Sequence, residues 1–201
     1  SLHYASLLHQ AMEEFQSMHY ERFAIFYYNA LVNNYSTLDV EKAIGLLHEM
    51  QEKKELIRIP FYEMFIYLNL ATSYFDLQQF SQAIRNLNRL YLLDSYKKAD
   101  ISLKFKIAVS ELIIRFELGD MDFWNYRYEQ IRRSFKMQLQ DSAHKKETEL
   151  LSLMQAASNK HGGMKAKELK VKCEAFCSAW MSADHEDEII KYGTWIHEKI
   201  H

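Results

Sequence analysis

The strongest constraint on the fold is a helical spacing of apolar residues between Met64 and Tyr96. A first run consists of Tyr67, Leu70, Ala71 and Tyr74, and a second run of Phe80, Ala83, Leu87 and Leu90. Within each run, apolar residues recur with the three-to-four-residue period of one helix face. Residues 77–79 interrupt the pattern. Two short helices joined by a tight turn are predicted, and the small Ala71 and Ala83 predict that these helices pack closely.

The rest of the chain favours the same class of structure. Its 201 residues include a single proline and five glycines, and 48% are apolar against 26% charged. No run alternates in the manner of β-branched strands bounded by turns. The sequence therefore predicts an all-α fold with a sizeable buried core.

The spacing in residues 64–96 resembles the tetratricopeptide repeat (TPR), a helix-turn-helix unit of about 34 residues. The shared pattern is aromatic-x2-Leu-small-x2-Tyr followed by Ala-x3-Leu, whereas Gln78 and Ser95 stand where the family usually has Gly and Pro. Weaker copies extend the resemblance to residues 20–137, with spacings of 40 and 41 residues from Ala43 to Ala83 and on to Trp124. The resemblance implies a right-handed α-α superhelix of antiparallel hairpins, whose concave face commonly binds peptide segments.

On this interpretation the whole chain, 1–201, is a single repeat domain and a segment of a longer protein. Its parts are a partial repeat at 1–19, repeats at 20–58 and 60–97, a degenerate repeat at 100–140, a hairpin at 143–182 and a capping helix at 184–200. Local signals mark several boundaries. Asp39 and Asp184 are predicted helix N-caps, Pro60 is predicted to open a helix, and Gly119 is predicted to form a turn with Asp120.

Predicted partner-binding residues lie on the first helices of the hairpins. One TPR mode grips a carboxylate with Lys, Arg and Asn, but the corresponding positions here hold Tyr28, Val32, Leu68, Thr72, Val109 and Ile113. The inner face instead offers Tyr28, Tyr35, Phe65, Leu68, Phe75, Val109, Ile113 and Phe116. We predict that Tyr28, Phe65, Leu68, Phe75 and Phe116 bind an apolar or aromatic-rich segment. The alternative is that the array, or its terminal helix, buries these side chains itself.

Two patterns could indicate metal or thiol chemistry. His197-Glu198-Lys199-Ile200-His201 matches HExxH, in which two histidines bind zinc and the glutamate acts as base. It occupies the last five residues, where the helix end frays and no third ligand follows. Cys173 and Cys177 share a helical stripe with apolar residues, and we interpret both as buried packing thiols.

Charge does not point to nucleic acid or to a membrane. The net charge is −2, although Arg127, Arg132, Arg133 and Lys136 cluster near the aromatic residues Trp124, Tyr126 and Tyr128. Such a group could receive an acidic peptide or a nucleic acid, but it is more typical of a solvated helix, as is the cluster Lys165, Lys167, Lys170 and Lys172. No apolar run is long enough for a bilayer, and two cysteines suit a reducing, cytoplasmic setting.

The resulting hypothesis is a non-enzymatic scaffold that binds a protein partner, a peptide or a flanking domain of its own longer chain, without a cofactor. A peptide-sensing regulatory module is the first alternative, and a zinc-dependent hydrolase is a remote one.

Overall fold

The computed structural model describes residues 2–14, 20–53, 56, 59–158, 166–180 and 188–200. Within these ranges the regular elements are α-helices and a single 3-10 turn, with no strand. The all-α prediction is therefore confirmed. The chain divides into two compact units, Ser1–Ala99 and Asp100–His201. Each unit is described separately.

Six helices have their bounds within the described residues of the first unit. They are α1 (Leu2–Glu14), α2 (Tyr20–Leu38), α3 (Val40–Glu52), α4 (Tyr62–Asp76), α5 (Phe80–Leu92) and α6 (Asp94–Lys98). Helices that follow one another in the chain pack together from α1 to α6, and α2 also contacts α4. The core between α2, α3 and α4 includes the fully buried Val32, Leu47 and Leu70. Ala71 and Ala83 are buried where α4 meets α5.

The helix ends of the first unit agree with the sequence prediction at Asp39 but not at Pro60. The Asp39 side chain accepts a hydrogen bond from the Lys42 backbone N–H at 3.1 Å, as a helix N-cap does. Gln78, in the turn between α4 and α5, takes the left-handed conformation with φ 58°. The prediction for Pro60 is wrong: α4 begins at Tyr62, because Phe61 has φ 64° and cannot continue a helix toward Pro60.

The second unit contains the remaining helices. They are α7 (Ile101–Leu118), α8 (Met121–Ser134), α9 (Lys136–Gln140), a 3-10 turn (Ser142–His144), α10 (Lys145–Ser158), α11 (Ala166–Trp180) and α12 (Tyr192–Ile200). Gly119 has φ 72°, which ends α7, and the Asp120 side chain accepts the Phe123 N–H at 3.2 Å to start α8. The predicted turn at these two residues is confirmed.

The core of the second unit is built around α7 and Trp124. Trp124 is fully buried, stacks on Tyr128 with ring centroids 5.2 Å apart, and donates its indole N–H to the Leu112 carbonyl at 3.1 Å. The buried indole N–H therefore has the partner that its burial demands. α7 also packs against α10, α10 against α11, and α11 against α12.

The terminal helix is shorter than predicted. Residues 188–191 are not helical, so a helix running continuously through 184–200 is wrong. α12 starts at Tyr192, whose backbone N–H donates to the Glu188 side chain at 3.2 Å. Glu188 also forms an ion pair with Lys146, whose Nζ lies 2.8 Å from a carboxylate oxygen, so a contact with α10 holds the residue that caps α12. The predicted cap Asp184 lies outside the described residues.

Candidate functional site

An apolar groove lies among α2, α3 and α4 of the first unit. It encloses about 260 Å³ and is lined by Ile25, Tyr28, Asn29, Met50, Ile59, Pro60, Phe61, Tyr62 and Phe65. Three segments contribute to it: the middle of α2, the end of α3, and the connection into α4. A concave, mainly apolar surface with few polar groups is the usual form of a binding site.

The rim of the groove exposes large apolar side chains. Ile25 is 44% exposed and Phe61 is 49% exposed, although both could contribute more stability if they were buried. Phe61 also adopts a left-handed backbone conformation, which costs a non-glycine residue about 1–3 kcal/mol. Strain and exposure therefore coincide at one aromatic residue. Backbone strain is often found at residues that contact a ligand.

The floor of the groove is formed by Tyr28, which is only 5% exposed. Lys53 Nζ donates to the Tyr28 hydroxyl and lies 5.0 Å from the centroid of its ring. Met50 and Tyr62 complete the floor, and the Tyr62 hydroxyl donates to the Met50 carbonyl at 3.4 Å. The floor is thus fixed by packing and hydrogen bonds, whereas the rim is exposed.

The predicted partner-binding residues divide between the two units. Tyr28 and Phe65 both line the groove. Leu68 and Phe75 are half-buried on α4 but do not line it, and Phe75 packs against Phe80 with centroids 5.6 Å apart. Phe116 belongs to the second unit and contacts Trp124 and Trp195 edge-on, at 6.2 and 5.9 Å. A partner-binding role for all five stays a prediction.

Other residues of the predicted inner face have different positions. Val109 and Ile113 are fully buried in the second unit, in agreement with the alternative that the protein covers them itself. Tyr35 is half-buried, with Lys42 Nζ 4.5 Å from its ring centroid. Sequence reasoning missed Ile25, Pro60 and Phe61 of the groove. The sequence carried no specific signal for them, because proline fits the first turn of a helix as well as a connection.

A second, polar cavity of about 360 Å³ adjoins the groove. It is lined by Met50, Gln51, Glu52, Tyr62, Glu63, Ile66, Tyr67 and Arg89. Met50 and Tyr62 line both cavities and so form the wall between them. Charged side chains from three helices meet there: Glu52 ends α3, Glu63 lies in the first turn of α4, and Arg89 lies in the last turn of α5.

The basic group of α8 is engaged within the second unit. Arg127 Nε donates to Glu111 at 2.8 Å, and Arg132 pairs with Glu129 at 3.2 Å. Tyr128 is buried and donates to Gln155 at 2.7 Å, and its burial raises the pKa of the phenol. Two arginines and the aromatic residues Trp124 and Tyr128 therefore have internal contacts. A solvated helix surface describes Arg132, which is 52% exposed, but not Arg127, which is 17% exposed.

The HExxH and cysteine patterns bring no metal-ligand group together in the described part of the chain. His197 and Glu198 lie exposed on α12, and His201 lies outside the described residues. Across the described residues no three His, Cys, Asp or Glu side chains are grouped to hold a metal ion. Cys173 and Cys177 are free and buried, and burial raises the pKa of both thiols. A raised pKa keeps them protonated and poorly nucleophilic.

Hydropathy and comparisons complete the description of the chain. No described helix has both the length and the apolar character needed to cross a bilayer. A scan against models of protein families, a search of curated proteins and a search of solved structures each find no match to this chain.

Proposed function

We propose that this chain is a non-enzymatic interaction module that binds a segment of a protein partner in the apolar groove of its first unit. The observation that carries the proposal is the exposed rim formed by Ile25 and the strained Phe61 above a fixed floor. Aromatic and aliphatic anchors around a concave apolar surface supply most of the affinity in protein interfaces. A rigid floor also reduces the entropy that binding must overcome.

The groove is compatible with a TPR-like superhelix, in which the first helices of the hairpins contact a partner. The resemblance in residues 64–96 supports this arrangement, as does the packing of α2 against α4, two helices apart in the chain. We place the module in the cytoplasm, since both cysteines are free and buried. The partner is then a cytoplasmic protein or a flanking domain of a longer chain.

Site-specific photo-crosslinking tests the groove directly. A photoreactive phenylalanine analogue is introduced at Ile25 in the full chain, and at Leu38 as a control on the same helix. Leu38 is 70% exposed and does not line the groove. After irradiation in cells, we expect a discrete crosslinked product from position 25 and none from position 38.

The same experiment is repeated with Phe61→Ser, which removes one side of the rim but no core residue. We expect the product from position 25 to decrease while the helical circular dichroism is unchanged. Equal products from positions 25 and 38, or a product insensitive to Phe61→Ser, would contradict a binding role for the groove.

A further inference from the structure

The partition of charge beside the groove indicates the chemistry of its ligand. Among the described residues that line the polar cavity, Glu52 and Glu63 are exposed carboxylates and Arg89 is the one cation. No ion pair within 4.0 Å joins Arg89 to either carboxylate in the described residues. Two negative charges against one positive charge leave this cavity net acidic.

The helix backbone adds to the negative potential. Glu52 is the last residue of α3, where the unpaired carbonyl groups of a helix carry about half a negative charge. Lys53, which follows Glu52 in the chain, places its Nζ on the Tyr28 hydroxyl at the apolar groove. A cationic group is therefore favoured in the polar cavity over an anionic one.

The size and position of the two cavities restrict the ligand further. The apolar groove, at about 260 Å³, is smaller than the roughly 300–1,000 Å³ of typical small-molecule sites, and suits one large side chain. Phe61 lines the groove and Glu63 lines the polar cavity, two residues apart in the chain. Because Met50 and Tyr62 line both cavities, the ligand's two groups should lie close in its sequence, within about three positions at about 3.3 Å per extended residue.

We infer that the groove binds a peptide segment in which one aromatic or large aliphatic side chain lies within three residues of a lysine or arginine. The anchor enters the apolar groove, and the cation lies against Glu52 and Glu63 in the polar cavity. This inference rests on the proposed function, because it assigns a ligand class to the same groove.

Selection from a displayed library of random decapeptides, with the full chain as bait, tests the assignment. We expect enriched peptides to combine an aromatic or aliphatic anchor with Lys or Arg one to three positions away. Their binding is then measured by fluorescence anisotropy with synthetic, labelled copies. Two variants of each enriched peptide are measured beside it. In one the basic residue is replaced by Glu, and in the other the anchor is replaced by Ala.

Matched variants of the chain separate charge recognition from a general effect of charge. Glu52→Gln with Glu63→Gln removes the two cavity carboxylates. The control pair, Glu41→Gln with Glu49→Gln, removes one carboxylate from the first turn of α3 and one from its last turn. Neither residue lines the apolar groove or the polar cavity. We expect the first pair to weaken binding of the basic peptide about tenfold and the second pair to change it less than twofold.

The remaining outcomes show whether the inferred ligand class alone is wrong or whether the groove binds no peptide at all. Enriched peptides with an anchor but no preference for Lys or Arg would overturn the inference and leave the proposed function standing. Peptides unaffected by Ile25→Ser, or no enrichment at all, would overturn both. A dimer in sedimentation equilibrium that Ile25→Ser dissociates would show that a second copy of the chain occupies the groove, which also overturns the inference.

Discussion

Glu111 of α7 is a buried carboxylate that forms ion pairs with two arginines of the second unit. Its side chain is 2% exposed, and it accepts hydrogen bonds from Arg115 Nε at 2.7 Å and from Arg127 Nε at 2.8 Å. Arg115 also lies over the Phe123 ring, 3.8 Å from the centroid. A carboxylate at this depth is compatible with folding because the two guanidinium groups compensate for its lost hydration.

Replacing Glu111 with Ala should destabilise the second unit strongly. Removing one partner of a buried ion pair costs about 3–5 kcal/mol, because the remaining charge is left uncompensated. Here Arg115 and Arg127 are 12% and 17% exposed, so water partly hydrates them once the carboxylate is gone. We therefore expect a loss of about 2–4 kcal/mol in the free energy of unfolding, and a smaller loss for Glu111→Gln, which keeps one acceptor oxygen.

Tryptophan fluorescence in urea measures this loss for the second unit alone. The chain has three tryptophans, Trp124, Trp180 and Trp195, and all three belong to that unit. The control is Glu129→Ala, which removes an exposed pair in which Arg132 is 52% and Glu129 is 48% exposed. Exposed pairs contribute about 0.2–1 kcal/mol, so the urea midpoint of the control should stay close to that of the wild type.

Two results would refute this reasoning. One is a Glu111→Ala variant whose unfolding free energy lies within about 1 kcal/mol of the Glu129→Ala control. The other is a loss on Glu111→Ala that disappears in 0.5 M sodium chloride. Salt screens exposed charges far more than buried ones, so such a loss would indicate that Glu111 acts through the surface.

Two further predictions concern helix packing and turns. Ala71→Trp and Ala83→Trp should each destabilise the first unit by about 1–3 kcal/mol in urea followed by far-UV circular dichroism, while Glu49→Ala should be nearly silent. Equal effects would contradict the close packing of α4 on α5. Gln78→Gly should stabilise the first unit by about 1 kcal/mol and Gly119→Ala should destabilise the second by a similar amount, since both positions have positive φ. Effects of the opposite sign would contradict these backbone conformations.

Features that depend on local chemistry could be predicted from the sequence. The helix Ile101–Leu118 ends at the predicted turn residue Gly119, and the break at residues 77–79 separates two helices as expected. The Asp39 cap and the Gly119 turn follow from side-chain and backbone properties of single residues. These predictions succeed because each requires no knowledge of distant residues.

Features that depend on contacts between distant residues could not be predicted. Periodicity alone extended the last helix to Asp184, whereas the side chain of Glu188, paired with Lys146 of α10, caps a helix that starts at Tyr192. Glu111 interrupts an apolar run in the sequence, and nothing local indicates that Arg127, sixteen residues away, approaches it. The pairing of a buried charge is a property of the folded unit.

The groove shows most clearly why a periodic pattern is insufficient for locating a site. Core residues and binding anchors are both apolar, so the same sequence pattern predicts either one. Three consecutive residues at the start of α4 have different environments: Phe61 is exposed at the groove, Tyr62 is buried in the wall, and Glu63 lines the polar cavity. The left-handed turn at Phe61 sets this order, because it shifts the first helical residue from Pro60 to Tyr62. A residue's face therefore depends on one backbone angle, and the same angle places the apolar groove beside the polar cavity.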